Sequence, residues 1–175
     1  MVDKQKISKR LFLMFKKDQE IRKKYDVANE KKYIKKMSEV DAANREEFKR
    51  IFKDTGFIGL DSGEDLHEAA FHIVQHMPTS EVSFMKKYLR LMKKNINNTN
   101  PIYFALLTDR TRNWEEKPQL YGTQFVPVDG EINTYKMRPI YKPKEVDKRR
   151  VEIGLEPLKE YVDRISKERK VKLIY

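Results

Sequence analysis

The stretch that decides the fold is Ser62-Gly63-Glu64-Asp65-Leu66-His67-Glu68-Ala69-Ala70-Phe71-His72-Ile73-Val74-Gln75-His76-Met77-Pro78. Leu66, Ala69, Ala70, Ile73, Val74 and Met77 recur at intervals of three and four, the period of one helix face, so an amphipathic helix is predicted here. Ser62 precedes it as a cap, Glu64 and Asp65 put negative charge in its first turn, and Pro78 stops it. The same period extends on both sides. Upstream, Leu11, Met14, Phe15, Ile21 and Tyr25 mark a first helix, and Tyr33, Met37, Val40, Phe48, Ile51 and Phe52 a second that Gly56 is placed to end. Downstream, Val82, Met85, Tyr88, Leu89 and Met92 mark a fourth, capped by Thr79 or Ser80. Asn100-Pro101 opens a fifth over Ile102 to Arg110.

Past Arg110 the period changes. Gln119 to Val126 alternates and is rich in strand formers, Asp129-Gly130 is a two-residue turn signal, and Glu131 to Met137 can return as the partner strand. Helices are predicted again from Lys144 to Ile153, ended by Gly154, and from about Glu156 to Lys170. The expectation is therefore a mainly α fold, a compact domain of about six to seven helices with one β-hairpin at about 119–137. With 175 residues and no linker longer than a loop, residues 1–175 read as a single domain.

Composition removes several function classes. There is no Cys, which excludes disulfide scaffolds, thiolate zinc sites and cysteine nucleophiles. The longest apolar run near the N-terminus, Leu11 to Phe15, is too short for a signal-peptide core or a membrane span, so the expected setting is the cytoplasm, with no membrane partner. The net charge of +11 is uneven: residues 1–36 carry +8, residues 136–175 carry +6 and the middle −3. Such an excess invites a nucleic-acid reading. Yet Lys16, Lys17, Lys23, Lys24, Lys31, Lys32, Lys35 and Lys36 fall on the polar sides of helical patterns, where solvated charge is the default, and nucleic acid is the lesser expectation.

Polar residues inside apolar stripes need a reason, because an unbonded polar group costs about 1–3 kcal/mol to bury. Asp18 continues the first helix's stripe, with Arg22 one turn on, and Asn44 lies between Val40 and Phe48 with Asp41 nearby. These four read as a structural network tying helices together. The three histidines, His67, His72 and His76, fall within ten residues. Glu68, His72 and His76 share one helix side at a spacing that could hold a metal, but the zincin pattern is broken by Phe71, and no metal or cofactor is expected. A helical histidine facing a cleft as general acid or base is the better reading. Gln119-Leu120-Tyr121-Gly122-Thr123-Gln124 is the most unusual local sequence, since a mid-strand glycine marks a bulge or a close approach.

Taken in order, Asp18-Gln19 with Arg22, Gln75-His76, Leu107-Thr108-Asp109-Arg110, Gln119 with Tyr121-Gly122-Thr123-Gln124, and Asp147 with Arg149-Arg150 before Gly154-Leu155 resemble an uncharacterised bacterial family catalogued only as a domain of unknown function. The likeness covers nearly the whole chain. It implies a bacterial or phage origin and a shared polar centre, and it brings no activity with it. Phe57-Ile58 departs from the aromatic-Pro pair of that pattern.

The functional expectation is a metal-independent enzyme acting on an anionic or amide/ester substrate. His76, Asp109, Arg110 and Tyr121 are its candidate catalytic residues, and Gln75, Gln119, Thr123, Gln124, Arg149 and Arg150 its candidate ligand-binding residues, all converging on one centre. No G-x-S-x-G, Walker loop or G-x-G-x-x-G is present, so the reaction class stays open. The alternatives are a non-catalytic domain that binds a small anionic ligand or a protein, and a nucleic-acid-binding protein or RNA-cleaving toxin.

Overall fold

The computed structural model describes residues 4–24 and 30–175. They form seven α-helices and one small sheet, a mainly α fold, and the chain divides into two compact units on either side of Thr99 and Asn100. Tyr25, assigned above to the first helix's stripe, lies outside the described residues.

The first unit holds α1 (Lys4–Lys23), α2 (Glu30–Thr55), α3 (Glu64–Gln75) and α4 (Val82–Lys94). From Ala69 to Met77 the stretch does what its period requires: Ala69, Ala70, Phe71, Ile73, Val74 and Met77 are buried, and α3 packs on α1, α2 and α4. Leu66, by contrast, is only half-buried, and Gly63, not Ser62, is the N-cap because Leu60–Ser62 forms a 3-10 turn. Two small alanines on one face let the neighbouring helices approach closely, while Phe48, Phe52, Phe84 and Tyr88 fill the other side of the core with ring contacts of 5.2–6.3 Å. His67 is fully buried, and its Nδ1 lies 2.9 Å from the Ile58 carbonyl, so it is a core histidine. Gly56 ends α2 with φ +72°, as its position suggested. Thr79 and Ser80 make no cap bond, because Thr79–Glu81 forms a 3-10 turn ahead of α4.

The second unit holds α5 (Pro101–Trp114), β1 (Phe125–Pro127), β2 (Thr134–Met137), α6 (Val146–Glu152), α7 (Leu158–Arg169) and β3 (Lys172–Ile174). Asn100 caps α5 by accepting the Ile102 N–H at 3.0 Å, and the helix runs one turn past the predicted Arg110. Asp147 accepts the Leu158 N–H at 2.7 Å and so starts α7, two residues later than predicted because Pro157 is its N-cap. Met137, Val146, Leu158, Tyr161 and Val162 make its core, with Phe125, Ile140 and Leu173 packed against them.

The predicted hairpin needs two corrections. Only Phe125–Pro127 of the first arm is a strand; Gln119 to Gln124 is a loop, with one isolated bridge between Gln119 and Ile140. The return arm starts at Thr134, since Glu131 to Asn133 belong to the turn and Asn133 takes φ +55°. The sheet also has a third strand: order β1-β2-β3, with β1 antiparallel to β2 and β3 parallel to it.

Candidate functional site

In the second unit, the unusual block around Gly122 is held by a buried carboxylate. Asp109 Oδ1 accepts the Leu120 N–H at 2.6 Å, its oxygens share the Tyr121 N–H at 3.1 and 3.2 Å, and Oδ2 accepts the Thr123 N–H and hydroxyl, both at 3.0 Å. Successive N–H groups closing on one anion form a nest, and Gly122 at φ +75° supplies the backbone reversal it needs. Burial pushes the Asp109 carboxyl up, against the pull of those amide bonds. The partners of Asp109 are thus the loop rather than a histidine.

The other polar groups around the loop are mostly tied to backbone, although Arg150 Nη2 is buried without a hydrogen-bond partner among the described residues. Gln119 accepts the Gln124 N–H at 2.9 Å and donates to the carbonyls of Gln124 and Arg138 at 3.2 and 2.7 Å. Arg149 donates to Leu120 O at 2.9 Å and Tyr141 O at 2.6 Å, and Arg150 to Tyr121 O at 2.6 Å and Glu156 O at 2.7 Å. Arg150 is wholly buried with its guanidinium 4.7 Å over the Tyr161 ring. Gln119, Thr123, Arg149 and Arg150, expected to bind ligand, all bond the scaffold, and Gln124 donates weakly to Leu106 O at 3.4 Å. Tyr121 is buried against Phe104, ring centroids 6.2 Å apart, and burial raises its hydroxyl pKa, with the Asp109 charge adding to the effect. Arg110 lies over Trp114 at 6.0 Å, and Gln75, in the first unit, is buried on α3.

The first unit brings together residues that the sequence assigned to two different roles. His76, the C-cap of α3, puts Nδ1 2.8 Å from Asp18 Oδ1 on α1. Arg22, one turn along α1, donates to the same Asp18 oxygen at 2.7 Å and to both oxygens of Asp41 on α2 at 2.9 Å. Gln19 donates to the other Asp18 oxygen at 2.8 Å. Asn44 donates to Met14 O at 3.2 Å and clamps α2 to α1 beside the cluster. Exposure is graded: the Asp18 side chain is 1% exposed, His76 15%, Asp41 19% and Arg22 25%, so a buried carboxylate supports groups that reach solvent.

Charge sorts the two carboxylates. Burial pushes Asp18 up, but the hydrogen bond and charge of His76, the Arg22 charge and the Gln19 amide together outweigh it, leaving its pKa below the ordinary value. For Asp41 burial prevails over the Arg22 bond and charge, and the pKa is raised. The shared guanidinium thus holds two carboxylates in different electrostatic settings. Because an ionised Asp18 only accepts hydrogen bonds, Nδ1 of His76 carries the proton toward it, and the Nε2 of a neutral ring is the basic nitrogen.

Asp18, Asp41 and His76 also present ligand atoms within 4.8 Å of one another, a spacing that could hold a metal ion. Arg22 is already paired with both carboxylates there. The helix-side set considered from sequence is real as a row: Glu68 is 3.6 Å from His72, whose ring centroid is 5.7 Å from that of His76. Asp18 and Arg22 show in the sequence as interruptions of an apolar stripe, but nothing in their spacing joins them to His76; the signal for His76 is its position at the end of α3, two residues before Pro78.

The chain belongs to a family of unknown function (DUF6624), whose family model matches residues 5–173. Comparison with curated proteins and with solved structures gave no match. Among the described residues, no helix is long and apolar enough to cross a membrane.

Proposed function

We propose that the protein is a cytoplasmic, bacterial acid–base enzyme in which His76, oriented by Asp18, activates water against an uncharged ester or amide carbonyl. The observation that carries this reading is the 2.8 Å bond from His76 Nδ1 to a carboxylate that is 1% exposed, with the imidazole itself still reaching solvent. Nε2 takes a proton from water as the oxygen adds to the carbonyl carbon. The same proton passes to the leaving alkoxide or amine when the tetrahedral intermediate collapses, and His76 ends neutral. Asp18 holds the tautomer and stabilises the imidazolium between the two steps.

Arg22 narrows the substrate class. Its guanidinium is committed to Asp18 and Asp41, so the cluster carries one negative charge in excess when His76 is neutral, which repels an anion and tolerates a neutral acyl group. Asp109, Gln119, Arg149 and Arg150 serve the fold in this reading. A second reading, a polar tie without turnover, is favoured by the Asp18 bonds all being internal.

The test is hydrolysis of a panel of chromogenic esters, anilides and phosphodiesters by the wild type, His76→Gln and Asp18→Asn. We expect ester or anilide turnover that falls by about 10²–10⁴-fold in His76→Gln with the fold retained. Turnover that survives in His76→Gln, or none by the wild type on any substrate, removes the proposal.

A further inference from the structure

Along α1 of the first unit, away from Asp18 and His76, runs an apolar groove with an acidic rim. Its deeper part, about 590 Å³, has Ile7, Leu11, Ile58 and Leu66 as floor, with the exposed Asp54 and Asp61 at its edge. A second hollow of about 450 Å³ shares Ser8 and Leu66 with it and continues to Phe12 and Leu13, beside Asp65 and Lys9. Phe12 and Leu13 are 49% and 51% exposed, unusual for large apolar side chains side by side on a helix.

The charge is as informative as the shape. In a chain of net +11, three aspartates border this groove against one lysine, and among the described residues none of the three is in an ion pair. From Ile7 to Leu13 the strip follows α1 for roughly 10 Å at 1.5 Å per residue, about two turns of a docked helix.

We propose that this groove binds a basic amphipathic helix of a partner protein, whose apolar face covers Ile7, Phe12, Leu13 and Leu66 while its lysines or arginines meet Asp54, Asp61 and Asp65. The groove is independent of the acid–base reading above.

The probe is a fluorescein-labelled 16-residue peptide of Leu and Lys with Leu at i, i+3, i+4 and i+7, followed by anisotropy against the full chain. Saturable binding is expected, weakened at least about tenfold both by Phe12→Ser with Leu13→Ser and by Asp54→Asn with Asp61→Asn and Asp65→Asn, and weakened further by salt. Circular dichroism establishes that the variants, all at exposed positions, keep the fold. No binding, equal binding of a Leu/Glu or scrambled peptide, or indifference to both sets of substitutions overturns the proposal. So does concentration-dependent dimerisation abolished by Leu13→Ser, which would give the groove to a second copy of the chain.

Discussion

Thr123 gives Asp109 two hydrogen bonds, one from its backbone N–H and one from its hydroxyl, both 3.0 Å long and both to Oδ2. Bonds from Leu120 and Tyr121 complete the set, so one side chain on α5 fixes the course of a loop more than ten residues on. Asp109→Ala should therefore leave several buried N–H groups unbonded and cost at least about 3 kcal/mol, while Asp109→Asn, which keeps one accepting oxygen, should cost less. Urea unfolding gives both values. An Asp109→Ala variant as stable as the wild type would show that the loop does not depend on the carboxylate.

Asp18 and Asp41 should leave opposite marks on stability against pH. The folded pKa of Asp18 is lowered from 3.8, so its contribution is complete above that value and is lost as the pH falls through the folded pKa. That of Asp41 is raised from 3.8, so its contribution is present below that value and is lost as the pH rises through the folded pKa. Asp18→Asn should then cost about 2 kcal/mol at neutral pH, a cost that shrinks below about pH 4, whereas Asp41→Asn should be much milder at neutral pH. Unfolding curves for the three proteins over a pH series check this; equal losses for the two variants at every pH would contradict it.

Removing Arg22 should turn the polar cluster into a metal site. With its guanidinium gone, Asp18, Asp41 and His76 keep ligand atoms within 4.8 Å and lack a cation. Zinc should raise the melting temperature of Arg22→Ala by several degrees and leave the wild type unchanged, as should a chelator. A wild type that loses stability to chelator would mean that the cluster is a metal centre with Arg22 in place.

Gly122 and Gly154 separate backbone strain from crowding. Both take positive φ, +75° and +79°, but a Cβ on Gly122 would lie 2.5 Å from Leu158 Cδ1, while one on Gly154 meets nothing within 4 Å. Gly154→Ala should cost about 1 kcal/mol from φ alone, and Gly122→Ala distinctly more, by thermal melts. Equal costs would mean that Leu158 moves aside freely.

The helices were readable because their signals are local. Asn100-Pro101, Gly56 and Gly154 each act within a few residues. The three-four stripes match the buried positions over most of α3, in the second half of α2 and at Met85, Tyr88 and Met92 of α4, while Tyr33, Met37 and Val40 of the α2 stripe are only half-buried. Gln119 to Gln124 alternates like a strand, yet the groups that bend it into a loop, Asp109 and Arg149-Arg150, are ten or more residues away and carry no periodic signal. β3 has three residues, too short for any period, and was missed. At the cluster, Asp18, Arg22, Asp41 and Asn44 were recognised as polar breaks in helix faces. The bond from His76 to Asp18 spans 58 residues and depends on how α3 lies on α1, which no spacing rule encodes.

α2 is unevenly anchored. Its buried side chains are Asn44, Phe48, Ile51 and Phe52, all in the second half of a 26-residue helix, while none of residues 30–40 is buried. Helical hydrogen bonds open singly where no tertiary contact resists them, so amide exchange along α2 should be graded. The amides from Phe48 to Thr55 should exchange only when the whole unit opens, and those near Lys35 within far shorter times. One continuous helix thus spans nearly the full range of local stability in the unit, and the boundary falls near Asp41, where Arg22 ties α2 to α1.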